Sequence, residues 1–186
     1  MFCASIKFRV LPIMIMNEEI DGLNFYPQEF YLDSRGRFTR LMDLDNLGGI
    51  IGNPSQINIS ENPQTRTLRG MHYQIDGLPE HKFISLLRGS IFLCVVDVRK
   101  QSRTYKNTKS FYLDNSSNES VLVPAGCATG WITLEANSII HYVMTSRFQD
   151  NLYSGFRFDD PVFSLDWPCS PRVISEKDKK WPGFIP

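Results

Sequence analysis

The chain has 186 residues, of which 42% are apolar, and its 20 basic and 20 acidic side chains leave no formal net charge. This length and composition predict one domain over residues 1–186 with a sizeable core. Zero net charge argues against a nucleic-acid partner or an anionic membrane surface, and no apolar run reaches the roughly 18 residues of a transmembrane helix. The scattered cysteines have no CxxC spacing and the N-terminus lacks signal-peptide features, so we expect reduced thiols in a cytoplasmic protein.

Short strands and turns dominate the sequence from end to end. Extension strands are predicted in about residues 1–24, and "FYPQEFYLDSRGRFTR" (25–40) predicts two strands joined by a turn at Ser34, Arg35 and Gly36. Alternating apolar runs follow at short intervals, separated by turn residues in "DNSSNES", "PAG" and "EANS". The polar tail, about residues 168–186, is predicted to be irregular or a short helix. This spacing indicates an all-β sandwich or barrel with short peripheral helices at most.

One predicted strand, "TLRGMHYQ" (67–74), carries a histidine in an apolar setting. A period of two puts His72 and Gln74 on one face of this strand and Arg69 on the other. Small β-barrels hold ligands in their mouths, so an inward-facing polar side chain is a candidate site residue. From this stretch alone, His72 is either a core histidine satisfied by the backbone or a catalytic base.

The histidines do not predict a metal centre. The pair His72-x-Gln74, with His81 and His141 elsewhere, is not a recognisable set of metal ligands. No glycine-rich phosphate loop or nucleophile elbow occurs either.

Three other polar residues are ordinary when each is considered alone. Lys82 fits a solvated strand end, Tyr142 fits an ordinary strand tyrosine, and Asp178 fits a solvated charge run in "SEKDKK". In "IIHYVMT", alternation puts Tyr142 on the same face as Ile140 and Met144.

Several motifs taken in order carry a much more specific signal. They are "FYLDSRGRF", "QINIS", "LRGMHYQ", "HKFISLLRGSIF", "VDVRKQSRTY", "VPAGCATGW", "FDDP", "DWP" and "SEKD". The order closely resembles the dTDP-4-dehydrorhamnose 3,5-epimerase family, and the resemblance runs from about residue 25 to residue 182. It implies a cupin-type jelly roll that needs no metal or cofactor and acts on nucleotide-linked 4-keto-6-deoxy sugars in deoxysugar biosynthesis. It also implies a homodimer.

The resemblance implies a role for particular residues. It makes His72 the general base, Asp178 its partner, Lys82 the group near the 4-keto oxygen, and Tyr142 the general acid. Further positions match substrate-binding residues of the family. These are Arg69 at the diphosphate, Gln56, Asn58 and Gln74 near the nucleotide and sugar, Phe148 against the base, and Arg35 from the neighbouring subunit.

The implied chemistry needs such a set. A C–H beside a ketone is acidic because the enolate places its charge on oxygen, so a base, a donor at that oxygen and an acid on the opposite face are required. Imidazole changes protonation near neutral pH, and a carboxylate behind it fixes the tautomer.

Three positions depart from the family pattern. Thr129 in "CATGW" replaces a usual histidine, Leu93 replaces a frequent aspartate after "GSIF", and Arg40 stands where glutamate is common. We therefore expect an altered substrate, or epimerisation at C3 or C5 alone. A sugar-nucleotide 3,4-ketoisomerase and a non-catalytic sugar-nucleotide-binding cupin remain alternatives, with a metal cupin dioxygenase a more distant one.

Overall fold

A computed structural model describes residues 19–45, 47, 53–75 and 79–186, together with the backbone of 6–8 and 15–16. Strands make up nearly all of the regular structure in these ranges. In chain order they are β1 Ile6–Phe8, β2 Ile15–Met16, β3 Asn24–Pro27, β4 Glu29–Asp33, β5 Gly36–Arg40, β6 Gln56–Asn62, β7 Thr67–Gln74, β8 Lys82–Arg88, β9 Ser90–Asp97, β10 Thr108–Asp114, β11 Glu119–Val123, β12 Cys127–Thr133, β13 Ser138–Met144, β14 Tyr153–Gly155 and β15 Val173–Ile174. A 3-10 turn covers Asp150–Leu152, and helix α1 covers Glu176–Lys179.

Two six-stranded sheets face each other and form the jelly roll. One has the order β10-β9-β12-β7-β14, with β15 added in parallel to β7, and the other has the order β2-β3-β11-β8-β13-β6. A smaller sheet, β1-β4-β5, stands beside them. The predicted all-β jelly roll with short peripheral helices is confirmed.

The continuous apolar run of β9 is explained by burial on both of its faces. Leu93 and Val95 point into the core between the two sheets, where they meet Ile84 and Val121 from the opposite sheet. Phe92 and its outward neighbours on β9 pack into a second core, which the C-terminal segment covers with aromatic side chains. Leu93 therefore lies in the inner core.

Strand β7 contains a β-bulge that changes which side chains face inward. Thr129 of β12 pairs with His72 but Trp131 pairs with Arg69, so β7 carries one extra residue between these pairs. Gly70 has a φ of +127°, and a Cβ at this residue would collide with the backbone of Gly130. Because the bulge reverses the alternation, Arg69 and His72 line the same cavity. The predicted opposite facing of these two side chains is wrong.

The C-terminal tail is fixed along β7. The Arg66 carbonyl accepts hydrogen bonds from the amides of Arg172 and Val173, and β15 then pairs with the start of β7. The Ser175 hydroxyl caps helix α1 by accepting the Asp178 amide at 3.0 Å. The tail expected to be irregular or a short helix thus contains a short strand and a helical turn.

The β4–β5 hairpin is largely exposed. Phe38 is 64% exposed, and the Arg35 side chain is paired with Asp33 at the tip. Of the predicted N-terminal extension, β1 pairs with β4 and β2 pairs with β3, and residues 19–23 form a turn that leads into β3; residues 1–5, 9–14 and 17–18 lie outside the described residues. No helix among the described residues is long and apolar enough to cross a membrane.

Candidate active site

A cavity of about 660 Å³ opens between the two six-stranded sheets. Both sheets and the C-terminal tail contribute to its walls. Eight of the ten predicted site residues line it: Gln56, Asn58, Arg69, His72, Lys82, Tyr142, Phe148 and Asp178.

His72 and Asp178 form a hydrogen-bonded pair. His72 Nε2 lies 2.7 Å from Asp178 Oδ1, and Asp178 Oδ2 accepts the Gly70 amide at 3.2 Å. Burial alone would raise the pKa of Asp178, but the hydrogen bonds from His72 and Gly70 outweigh it and lower that pKa. An ionised carboxylate only accepts hydrogen bonds, so Nε2 carries the proton and Nδ1 is the nitrogen left to accept one. The solvated position that the charge run alone indicated for Asp178 is wrong, since only 6% of its side chain is exposed.

Lys82 begins β8 and reaches into the cavity with its side chain 8% exposed. Its ammonium lies 3.0 Å from the Tyr153 hydroxyl, 3.3 Å from Glu80 Oε1 and 3.4 Å from the Thr129 hydroxyl. Burial alone would lower the pKa of Lys82, but Tyr153 and Glu80 outweigh it, and the pKa is raised. Lys82 is therefore a buried, charged donor in the cavity. The local sequence had indicated a solvated residue at a strand end.

Tyr142 lies on β13, in the sheet opposite the one that carries His72. Its face also carries Met144, as the alternation predicted, and both residues line the cavity. Burial and Tyr153 raise the pKa of the Tyr142 phenol, and the charges of Lys82 and Arg69 oppose this without reversing it. A phenol with a raised pKa is protonated at neutral pH and can donate that proton.

The outer part of the cavity carries groups suited to a large polar ligand. The Arg69 guanidinium donates to Asn62 Oδ1 at 3.0 Å, and no carboxylate among the described residues forms an ion pair with it. Gln56 accepts the Phe148 amide, and Phe148 is 44% exposed. Arg69 is thus available for an anion and Phe148 for an aromatic ring.

Two predicted residues are not brought to this cavity. Gln74 is not among the lining residues, and its Oε1 accepts from the Ser146 hydroxyl at 2.9 Å. Arg35 lies at the hairpin tip in a separate depression, with its side chain 87% exposed and its nearest carboxylate Asp33 at 2.5 Å.

Several residues at or next to the cavity were not predicted from the sequence. Tyr153 and Trp131 line the cavity, but neither stands in a pattern that signals this. Glu80 stands two positions before Lys82, and a period of two would have placed both side chains together. Leu93, which stands where the family frequently has an aspartate, is not among the residues that line the cavity; it packs in the inner core with Trp131.

Metal-ligating side chains are not clustered in the described ranges. No group of three or more His, Cys, Asp or Glu residues in them is placed to hold a metal ion.

The fold and the cavity define a jelly-roll protein with an acid–base site between its two main sheets. The family model described as dTDP-4-dehydrorhamnose 3,5-epimerase matches residues 17–185. The chain therefore belongs to the dTDP-4-dehydrorhamnose 3,5-epimerase family, whose members are isomerases.

Individual relatives agree with this assignment. The dTDP-4-dehydrorhamnose 3,5-epimerase of Sinorhizobium fredii is 36% identical over 69% of this chain and 67% of its own length. The enzyme of the same description from Methanothermobacter thermautotrophicus is 31% identical over 87% of this chain and 89% of its own length. A crystal structure of the Bacillus anthracis dTDP-4-dehydrorhamnose 3,5-epimerase with TDP and PPi bound has a TM-score of 0.86 at 28% identity, covering 94% of this chain and all of that one.

Proposed function

We propose that this chain epimerises a nucleotide-diphosphate-linked 4-keto-6-deoxyhexose at C3, at C5 or at both. The observation that carries the proposal is the His72–Asp178 pair, which shares one cavity with Lys82 and Tyr142. A base, an enolate-stabilising cation and an acid are the three groups that inversion beside a ketone requires.

The first step is removal of a proton from carbon by His72. Asp178 accepts from Nε2, so the lone pair of Nδ1 takes the proton, and the buried carboxylate stabilises the resulting imidazolium. General base catalysis of this kind contributes roughly 10²- to 10⁴-fold to the rate.

Lys82 stabilises the negative charge that the ketone oxygen acquires. An ammonium has three N–H donors, and the three neighbours of Nζ are Glu80, Tyr153 and Thr129. The contact with Thr129, at 3.4 Å, is the longest. A ketone oxygen that replaces the Thr129 hydroxyl would receive a charge-assisted hydrogen bond without disturbing the other two.

Tyr142 returns a proton to carbon from the opposite face. It projects from the sheet opposite β7, so a sugar ring held in the cavity has His72 on one side and Tyr142 on the other. Proton removal from one face and return to the other inverts the carbon.

The nucleotide and its diphosphate bind in the outer cavity. Arg69 supplies a cation for the diphosphate, and Phe148 stacks on the base. The protein acts as a homodimer in which Arg35 of the exposed hairpin reaches the neighbouring subunit's nucleotide. Support for this arrangement comes from the exposure of Arg35 and its position in a depression separate from its own chain's cavity.

Hydrogen–deuterium exchange tests the proposed function. The protein is incubated in D2O with a dTDP-linked 4-keto-6-deoxyhexose, and deuterium is followed at C3 and C5 by NMR. Exchange at both carbons identifies a double epimerase, and exchange at one identifies a mono-epimerase. Movement of the ketone from C4 to C3 would indicate a ketoisomerase instead, and binding of several nucleotide sugars without exchange would leave only a binding protein.

A further inference from the structure

Glu80 is a buried carboxylate that forms an ion pair with Lys82 of the cavity. Its side chain is 2% exposed, and its Oε1 lies 3.3 Å from Lys82 Nζ. Glu80 is not among the residues that line the cavity, whereas Lys82 is. The influence of Glu80 on a reaction would pass through Lys82.

The backbone around Glu80 is held firmly by the end of β13. The Thr145 hydroxyl donates to the Pro79 carbonyl at 2.9 Å and accepts the His81 amide at 2.8 Å. The Ser146 hydroxyl lies 3.4 Å from Glu80 Oε2. These contacts on both sides of Glu80 fix its carboxylate relative to the sheet that carries Lys82.

The groups that face Lys82 come from every element around it. Tyr153 of β14 and Thr129 of β12 contact the ammonium, and Tyr142 of β13 lies within electrostatic reach. On β7, His72 and Arg69 line the same cavity. Among the described residues, Glu80 is the carboxylate at ion-pair distance from Lys82.

We propose that Glu80 is a positioning residue that holds the Lys82 ammonium charged and aimed at the cavity. The inference rests on the proposed function, since the held charge has a use only if an oxygen of the substrate becomes negative beside it. The class of substrate that needs this arrangement is a ketone that passes through an enolate.

The physical reason is the cost of burying a charge. A buried amine loses its proton readily unless an opposite charge compensates for the lost solvation. Thr129 and Tyr153 offer oxygen atoms but Glu80 offers a formal charge, so removing that charge takes away one of the contributions that hold the pKa of Lys82 up against burial and favours loss of the proton. The neutral amine that results is a much weaker stabiliser of an enolate.

The direct test is the titration of Lys82 in the free protein. The 13Cε signal of Lys82 is assigned with a Lys82→Arg variant, and its pKa is measured by NMR in the wild type, in Glu80→Gln and in Glu80→Asp. Glu135→Gln, at an exposed position in the turn before β13, is the matched control. We expect the pKa of Lys82 to fall by at least about one unit in Glu80→Gln, and to change less in Glu80→Asp, which keeps the charge. An unchanged pKa in Glu80→Gln would overturn the inference, and this readout does not depend on turnover.

The pH profile of exchange gives the second readout. In Glu80→Gln the pH at which kcat declines on the alkaline side should move to lower pH by a similar amount. At pH values above this decline kcat should be lower by roughly 10²-fold, and at pH values below it kcat should be near normal. A uniform loss at all pH values without a shift of this decline would show a structural role and contradict the proposal. If the wild type itself does not exchange, the proposed function fails, while the NMR titration still decides the inference.

Discussion

Asp178 Oδ1 lies 2.7 Å from His72 Nε2, although 106 positions separate these residues in the chain. The parallel pairing of β15 with β7 brings them together, because it places α1 beside the bulged part of β7. The tail thereby supplies the carboxylate that sets the tautomer of the histidine.

Replacing Asp178 with Asn should remove most of the activity while leaving the fold intact. An amide at this position can donate to His72, which favours the wrong tautomer and removes the charge that stabilises the imidazolium. We expect kcat for C–H exchange to fall by roughly 10²- to 10⁴-fold, by analogy with other carboxylate–histidine pairs. Asp159→Asn, which changes an exposed carboxylate paired with Arg157, should keep the wild-type rate. Similar rates for the two variants would exclude a catalytic role for the pair.

A Tyr142→Phe variant should separate proton exchange from inversion. His72 can still remove a proton and return one to the same face, but the donor on the opposite face is gone. Deuterium should therefore still enter the substrate, while the inverted product forms at least about tenfold more slowly. Both rates are read from one NMR time course, and Tyr112→Phe, at a residue that is 60% exposed, is the control. Equal slowing of exchange and inversion would argue against Tyr142 as the opposite-face acid.

The role of Arg35 can be tested in mixed dimers. If Arg35 binds phosphate in the neighbouring subunit, Arg35→Ala should raise KM by roughly 10- to 100-fold with little change in kcat. Co-expression with a His72→Ala chain then creates heterodimers in which one site has both residues intact. These dimers should recover the wild-type KM. A KM that stays high in the mixture would place Arg35 outside the partner's site.

Asp97 should stabilise the fold in a pH-dependent way. It is fully buried and accepts hydrogen bonds from Arg99, Ser102 and Thr104. Burial would raise its pKa, but these hydrogen bonds outweigh it and lower the pKa from 3.8 to about 2. Because the folded pKa is the lower one, this stabilisation is present above about pH 4 and is lost as the pH falls through about 2.

Chemical denaturation of Asp97→Asn provides the measurement for that residue. The variant should lose about 2 kcal/mol of unfolding free energy at neutral pH, and its difference from the wild type should shrink as the pH falls from about 4 to about 2. Asp166→Asn, on the surface, should stay within about 0.5 kcal/mol of the wild type. A difference for Asp97→Asn that is constant over this pH range would contradict the assigned cause.

The sequence predicted the all-β fold because alternation and turn residues are local signals. It could not predict that His72 and Arg69 face the same side of β7, because the bulge depends on the close approach of Gly70 to Gly130 of another strand. The same limit applies to Asp178. The sequence shows it only as part of a charge run, and the pairing of β15 with β7 is what brings it to His72. In both cases long-range strand pairing decides the environment of the side chain.

The role of Lys82 shows a different limit. The motif order pointed to it through family resemblance, but its surroundings were not visible in the sequence. Tyr153 and Thr129 lie on strands that are distant from Lys82 in the chain, and of the three only Glu80 is close to it in sequence. The charge state of a buried lysine depends on all three.

The most direct measurement is deuterium exchange into a dTDP-linked 4-keto-6-deoxyhexose, compared between the wild type and His72→Ala, with His141→Ala as the control. His141 lies on β13 and does not line the cavity. The wild type and His141→Ala should exchange C3 or C5 hydrogen, while His72→Ala should do so roughly 10²- to 10⁴-fold more slowly. Full-rate exchange in His72→Ala would contradict the assignment of His72 as the base.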